Sequence, residues 1–162
     1  PAKSFNIAAC CGAFTVVSDE NRRNALKAEN SRLTVNKNNA FASVAMEVAY
    51  KDGGPWLDAA IAYIEGNLSL VRARLSDIPE VSLIEPEGTF LLWLDFRNLG
   101  LQPDELTQFL RSEAGWAITR GVAFGDSGAG FGRLNIACPR ARLEKALDRL
   151  VHAISTTRDA SQ

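Results

Sequence analysis

The chain is 162 residues long, with 46% hydrophobic and 23% charged content, enough for one sizeable core and at most a fragment of a second domain. Eighteen Lys and Arg against nineteen Asp and Glu give a net charge of −1, leaving no surplus of cations to release counterions from a phosphate backbone, so nucleic acid is not an expected partner. No apolar run approaches the ~20 residues needed to cross a bilayer, and the start lacks the basic-then-apolar pattern of a signal peptide; the expectation is a soluble, cytoplasmic protein with no membrane partner. From the start of the chain, residues 13 to 17 (Ala-Phe-Thr-Val-Val) read as a short buried strand, and Asp19 as the cap of a helix through Ala25, Leu26 and Lys27. A polar stretch at residues 36 to 39 separates it from an alanine-rich helix over residues 41 to 50. Gly53-Gly54-Pro55 then punctuates the chain, and proline suits the first turn of a new helix. The domain boundary is placed there, giving residues 1–53 and 54–162.

From Pro55, apolar residues recur at steps of four and three (Leu57, Ile61, Ile64, Leu68, Val71, Leu75), which predicts one buried face of a long helix ending before Pro79. Residues 81 to 85 and 89 to 95 are strand-like runs joined by Pro86-Glu87-Gly88, and read as a hairpin. Pro103 opens a helix with Leu106, Phe109 and Leu110, Gly115 stops it, and residues 116 to 119 follow as a strand. A glycine-rich loop spans residues 121 to 132, residues 133 to 138 form the next strand, and Leu143, Leu147, Leu150 and Ile154 mark the face of a closing helix. The order from residue 55 is α-β-β-α-β-β-α. Tight connections between strands favour a mostly antiparallel sheet, and one-sided helices favour covering one face of it. The fold expected is α/β of the α+β type, a two-layer sandwich.

Cys10, Cys11 and Cys138 are odd in number, and the vicinal pair lacks the gap of a zinc knuckle, so no metal is expected and reduced thiols are the reading. His152, the only histidine, lies between core positions of the last helix and reads as a surface residue. The glycine-rich loop fails the spacing of both a dinucleotide fingerprint and a Walker loop; it is either an active-site loop or a plain connection. Arg133, starting the strand beyond it, is either a solvated arginine or a planar fork able to hold a substrate carboxylate. Lys3, in isolation, is a surface charge.

Read together, three segments carry more. Pro1-Ala2-Lys3-Ser4-Phe5-Asn6-Ile7-Ala8 resembles the segment around the cofactor lysine in class I/II aminotransferase-like enzymes, with Ser4 where threonine is usual. Pro86-Glu87-Gly88-Thr89-Phe90-Leu91-Leu92-Trp93-Leu94-Asp95 and Gly130-Phe131-Gly132-Arg133-Leu134-Asn135-Ile136-Ala137-Cys138-Pro139-Arg140 look like carboxy-terminal signatures of the same family, in its cystathionine β-lyase and C–S lyase branch. The resemblance runs from the first residue to about Val151, with the segments in the family's order and spacing. It implies a fold type I pyridoxal 5'-phosphate (PLP) enzyme that is a homodimer when complete and takes amino acids as substrates. Lys3 matches the lysine that carries the cofactor on the large domain and accepts the Cα proton, and Arg133 matches the arginine of the small domain that binds the substrate carboxylate. Residues 1–53 are then a remnant of the large PLP-binding domain, 54–162 are the small domain, and the amino-terminal half is expected to be missing, leaving the fragment alone inactive. The activity implied is β-elimination from sulfur amino acids; an aminotransferase, or a truncated module that only binds or dimerises, are the alternatives.

Overall fold

The computed structural model describes residues 1–37 and 39–160; Asn38 of the polar stretch and the last two residues of the expected small domain lie outside them. The chain divides into two compact units, residues 1–61 and 62–162.

The first unit opens on a run of turns, in which the Phe5 N–H donates to the Pro1 carbonyl at 3.0 Å and the Ile7 N–H to the Ala2 carbonyl at 3.1 Å. A short 3-10 turn, Ala8–Cys10, follows. Helix α1 (Glu20–Arg32) is capped as expected, with the Asp19 carboxylate accepting from the Arg22 N–H at 2.8 Å. Asn39 caps α2 (Ala40–Asp52) in the same way, through the Phe41 N–H at 2.9 Å. The Phe5 ring lies over the end of α2, where a Cβ on Gly53 would come within 2.6 Å of it. There it meets Tyr50 edge-on at 6.1 Å and stacks with Trp56 at 6.3 Å. This packing ties the opening turns to α2. The strand expected at residues 13 to 17 is not present: the segment is irregular, with Phe14 62% and Val16 85% exposed. Apolar, β-branched composition suits a strand, but a strand also needs a hydrogen-bonding neighbour, and none pairs with it among the described residues.

The long helix α3 (Gly54–Leu75) is buried increasingly toward its end, where Val71 and Leu75 enter the core and Ile64 and Leu68 pack partly against it. Ile61, expected on the buried face, is 46% exposed, because the core reached by this face begins only at Ile64. The rest of the second unit is β1 (Ser82–Ile84), β2 (Leu91–Asp95), α4 (Pro103–Ser112), β3 (Thr119–Arg120), β4 (Phe131–Asn135) and α5 (Arg140–Ala160). The sheet order is β1-β2-β4-β3 and every pairing is antiparallel. Alternation along β2 sends Leu92 and Leu94 inward, and along β4 Gly132 and Leu134. Leu92, Leu94 and Leu134 join Leu106 and Leu110 of α4 and Leu143, Leu147, Leu150 and Ile154 of α5 in one cluster. The unit is the expected two-layer sandwich of helices on an antiparallel sheet.

All four strands differ in their bounds from expectation, the first two being shorter by two residues each and the last two being shifted along the chain. The third strand is only Thr119–Arg120, because Trp116 is committed elsewhere: its backbone N–H donates to the Leu110 carbonyl at 2.6 Å and its indole to the Ala146 carbonyl at 2.8 Å. The fourth starts at Phe131, two residues early, since Phe131 already pairs with Asp95. Arg133 is therefore the middle residue of β4 and does not start it.

Asn67, buried on α3, fastens the far end of β4. Its Nδ2 donates to the Ile136 carbonyl at 2.8 Å and the Cys138 carbonyl at 3.0 Å, while its Oδ1 accepts from Arg140 Nε at 3.1 Å. Arg140 also lies 4.8 Å from the Tyr63 ring centre, in space left open because Gly66 lacks a side chain.

Candidate active site

Arg133 projects from the sheet face opposite the core. Register places it beside Trp93 on β2 and Thr119 on β3. Its guanidinium carbon is 4.8 Å from the centre of the Phe124 ring, and its Nη2 donates a long hydrogen bond of 3.5 Å to Thr119 Oγ1. Trp93 meets Phe124 edge-on at 5.5 Å and stacks on Phe131 at 5.6 Å with 13° between planes. The result is an aromatic floor beside a half-buried cation.

A second arginine shares this floor and behaves differently. Arg97 lies 4.8 Å from the Phe131 ring centre but is neutralised by Asp95, at 2.7 Å. The Arg97 hydrogen bonds hold the Asp95 carboxyl below its ordinary range, against the opposing effect of burial. Arg133 has no carboxylate partner among the described residues. A fork of donors stacked on one face, with its edge free of any acid, can take a carboxylate from outside the chain.

The glycine-rich segment delivers Phe124 to this place. Gly121 and Gly128 pass so closely that a Cβ on either would collide with the carbonyl of the other. Gly125 adopts φ 119°, which side chains disfavour. Short 3-10 turns at Gly121–Phe124 and Asp126–Gly128 complete the loop. Sequence reading singled out the loop and Arg133 but missed Trp93, Phe124 and Phe131. Trp93 and Phe131 share the parity of Arg133 on paired strands, a signal visible once register is known; Phe124 has no such signal.

Lys3 lies in the first unit, on the opening turns, with an exposed side chain that makes no ion pair or side-chain hydrogen bond among the described residues. An accessible primary amine is the group that can form an imine with the aldehyde of PLP. Lys3 and Arg133 belong to different units.

No family model matches the chain. Cystathionine β-lyase PatB of Bacillus subtilis is 38% identical over 156 residues, covering 96% of this chain and 40% of the relative. Protein MalY of Escherichia coli is 36% identical over 159 residues, covering 97% of this chain and 41% of the relative. The chain thus spans about two fifths of the length of these curated relatives. Among solved structures, cystalysin from Treponema denticola, which contains a pyridoxal 5'-phosphate cofactor, superposes with a TM-score of 0.88 at 30% identity, over 97% of this chain and 40% of that one. Sequence and fold agree that the chain belongs to the fold type I pyridoxal-phosphate enzymes, in their cystathionine β-lyase and C–S lyase branch, and corresponds to a carboxy-terminal part of them.

Proposed function

We propose that this chain is the carboxy-terminal portion of a PLP-dependent C–S β-lyase that acts on sulfur amino acids by β-elimination. The observation that carries the reading is Arg133: a half-buried guanidinium over the Phe124 ring, with no acid partner among the described residues. In the whole enzyme its fork holds the substrate α-carboxylate and so fixes the direction of the Cα–H bond. Lys3 would hold the cofactor through its amine, and the same nitrogen, when free, would take the Cα proton. The cofactor, when bound, supplies an electron sink for the pair left at Cα, which allows the sulfur on Cβ to leave as thiolate. Hydrolysis of the remaining fragment gives pyruvate and ammonia.

Residues 1–53 are read as a remnant of the large PLP-binding domain and 54–162 as the small domain. Support for the first comes from the apolar side chains left uncovered there, Phe41 at 82% exposure and Val44 at 62%, which are the kind of surface a larger domain would bury. The enzyme is further read as a cytoplasmic homodimer, in keeping with three free cysteines and with the family resemblance. No helix among the described residues is long and apolar enough to cross a membrane.

The test is Arg133→Lys in an enzyme containing this segment, assayed for pyruvate and thiol release from an S-substituted cysteine. Lysine keeps the charge and loses the fork, so kcat/KM should fall roughly a hundredfold or more, with the cofactor still covalently attached. Near-normal kcat/KM would remove Arg133 as the carboxylate clamp. Formation of a sulfur-bearing keto acid in place of pyruvate would make the enzyme an aminotransferase.

A further inference from the structure

The loop holding Phe124 is built at some cost. Two glycines are pressed together where no side chain fits, and a third adopts a conformation that side chains disfavour. What this construction presents is one aromatic ring, 53% exposed, whose face meets the Arg133 guanidinium at 4.8 Å. The ring is itself braced by Trp93 edge-on at 5.5 Å. An exposed phenylalanine gains little from burial, so its placement calls for another account.

We infer that Phe124 is a positioning residue for Arg133: its ring covers one face of the guanidinium and holds the plane, leaving the fork's edge turned to the substrate carboxylate. The inference rests on the reading of Arg133 as the carboxylate clamp. An arginine side chain has four rotatable bonds, and its only hydrogen bond to a side chain among the described residues, to Thr119 Oγ1 at 3.5 Å, is too long to hold it. Stacking on a ring restricts the plane without occupying a donor, so all of the N–H groups on the free edge stay available. A carboxylate at Phe124's place would hold the guanidinium more firmly but would neutralise it, as Asp95 does for Arg97. The two arginines on this floor thus show the two arrangements side by side.

The test uses an enzyme carrying this segment, with Phe124→Leu, Phe124→Met and Phe124→Tyr compared with the parent. Two ligands are measured on each: the S-substituted cysteine substrate, by KM and kcat, and its decarboxylated amine analogue, by inhibition constant. Loss of the ring should raise KM for the amino acid roughly fivefold to tenfold, with kcat within about twofold, and Tyr should restore the parent KM. Binding of the amine analogue should not change, because it has no carboxylate for Arg133 to grip. If Leu and Met weaken both ligands equally, Phe124 acts on the substrate side chain or on the fold, and the inference fails. It fails too if neither ligand is affected. Arg133→Lys measured alongside keeps the two claims apart: loss of amino acid binding there with no effect at Phe124 defeats only the positioning role, and no effect at Arg133 defeats both. Should the Leu variant not fold, the Met and Tyr pair makes the same comparison.

Discussion

Replacing Asn67 by alanine removes three hydrogen bonds from a side chain that is fully buried. The Ile136 and Cys138 carbonyls lose their donor at 2.8 and 3.0 Å. Arg140 loses an acceptor but keeps the Tyr63 carbonyl at 3.2 Å and can turn toward water, so its share is small. A buried polar group left unpartnered costs about 1–3 kcal/mol, and two carbonyls plus a small cavity give about 3 kcal/mol. In a urea melt with a slope of about 2 kcal/mol per molar, that is a midpoint lowered by about 1.5 M. Asn67→Leu, which keeps the volume, should recover only the cavity part and remain well below the parent. A loss under about 1 kcal/mol for the alanine variant would mean that the end of β4 is held by its own packing and that Asn67 is incidental to it. Because Arg133 lies on the same strand, the variant should also lose lyase activity in an enzyme containing it, beyond what its unfolded fraction explains.

Leu147→Ala, at a residue with no exposed surface, should lower stability by about 2–5 kcal/mol; a loss below about 1 kcal/mol would misplace the core. Gly121→Ala should shift the glycine-rich loop and weaken the Phe124 contact, visible as a KM increase like that of Phe124→Leu; a parental KM would show that the loop can absorb the extra carbon. Asp95, held below its ordinary value of 3.8 by the hydrogen bonds of Arg97 with burial opposing, stabilises the fold above that value, and the contribution is lost as pH falls through the lowered one. Asp95→Asn should therefore be less stable than the parent at neutral pH and converge with it in acid; an unchanged gap at low pH would refute the pairing. The thiol of Cys138, pushed up by burial against a smaller opposing effect of Arg142, should alkylate more slowly than an unstructured cysteine at neutral pH.

Local rules served best where the structure is locally determined. Asp19 caps a helix because a side chain three residues from a free N–H is all that a cap requires. The apolar steps of α5 and the hairpin around Pro86-Glu87-Gly88 are equally self-contained. The failures are non-local. Residues 13 to 17 have strand composition without a partner, and Trp116 is drawn from strand pairing by a carbonyl thirty residues away. The start of β4 is set by its register with β2, which moved Arg133 to the strand's centre. Asn67 was legible and overlooked: at three residues past Ile64 and four before Val71 it lies on the buried face, and a polar residue there signals a hydrogen-bonded fastening. Phe124 was not legible, because its place follows from the contact of Gly121 with Gly128, which no spacing announces. The pair Lys3 and Arg133 came from family resemblance, since neither is distinctive by chemistry alone.

The most direct test of the account is to reduce an enzyme containing this segment with borohydride in the presence of PLP, digest it, and locate the fixed cofactor by mass spectrometry. The cofactor should be found on the peptide that contains Lys3, and Lys3→Ala should abolish both that label and pyruvate formation. A label on Lys27, Lys37, Lys51 or Lys145, or full turnover in the Lys3→Ala enzyme, would contradict the assignment of Lys3 as the residue that holds the cofactor.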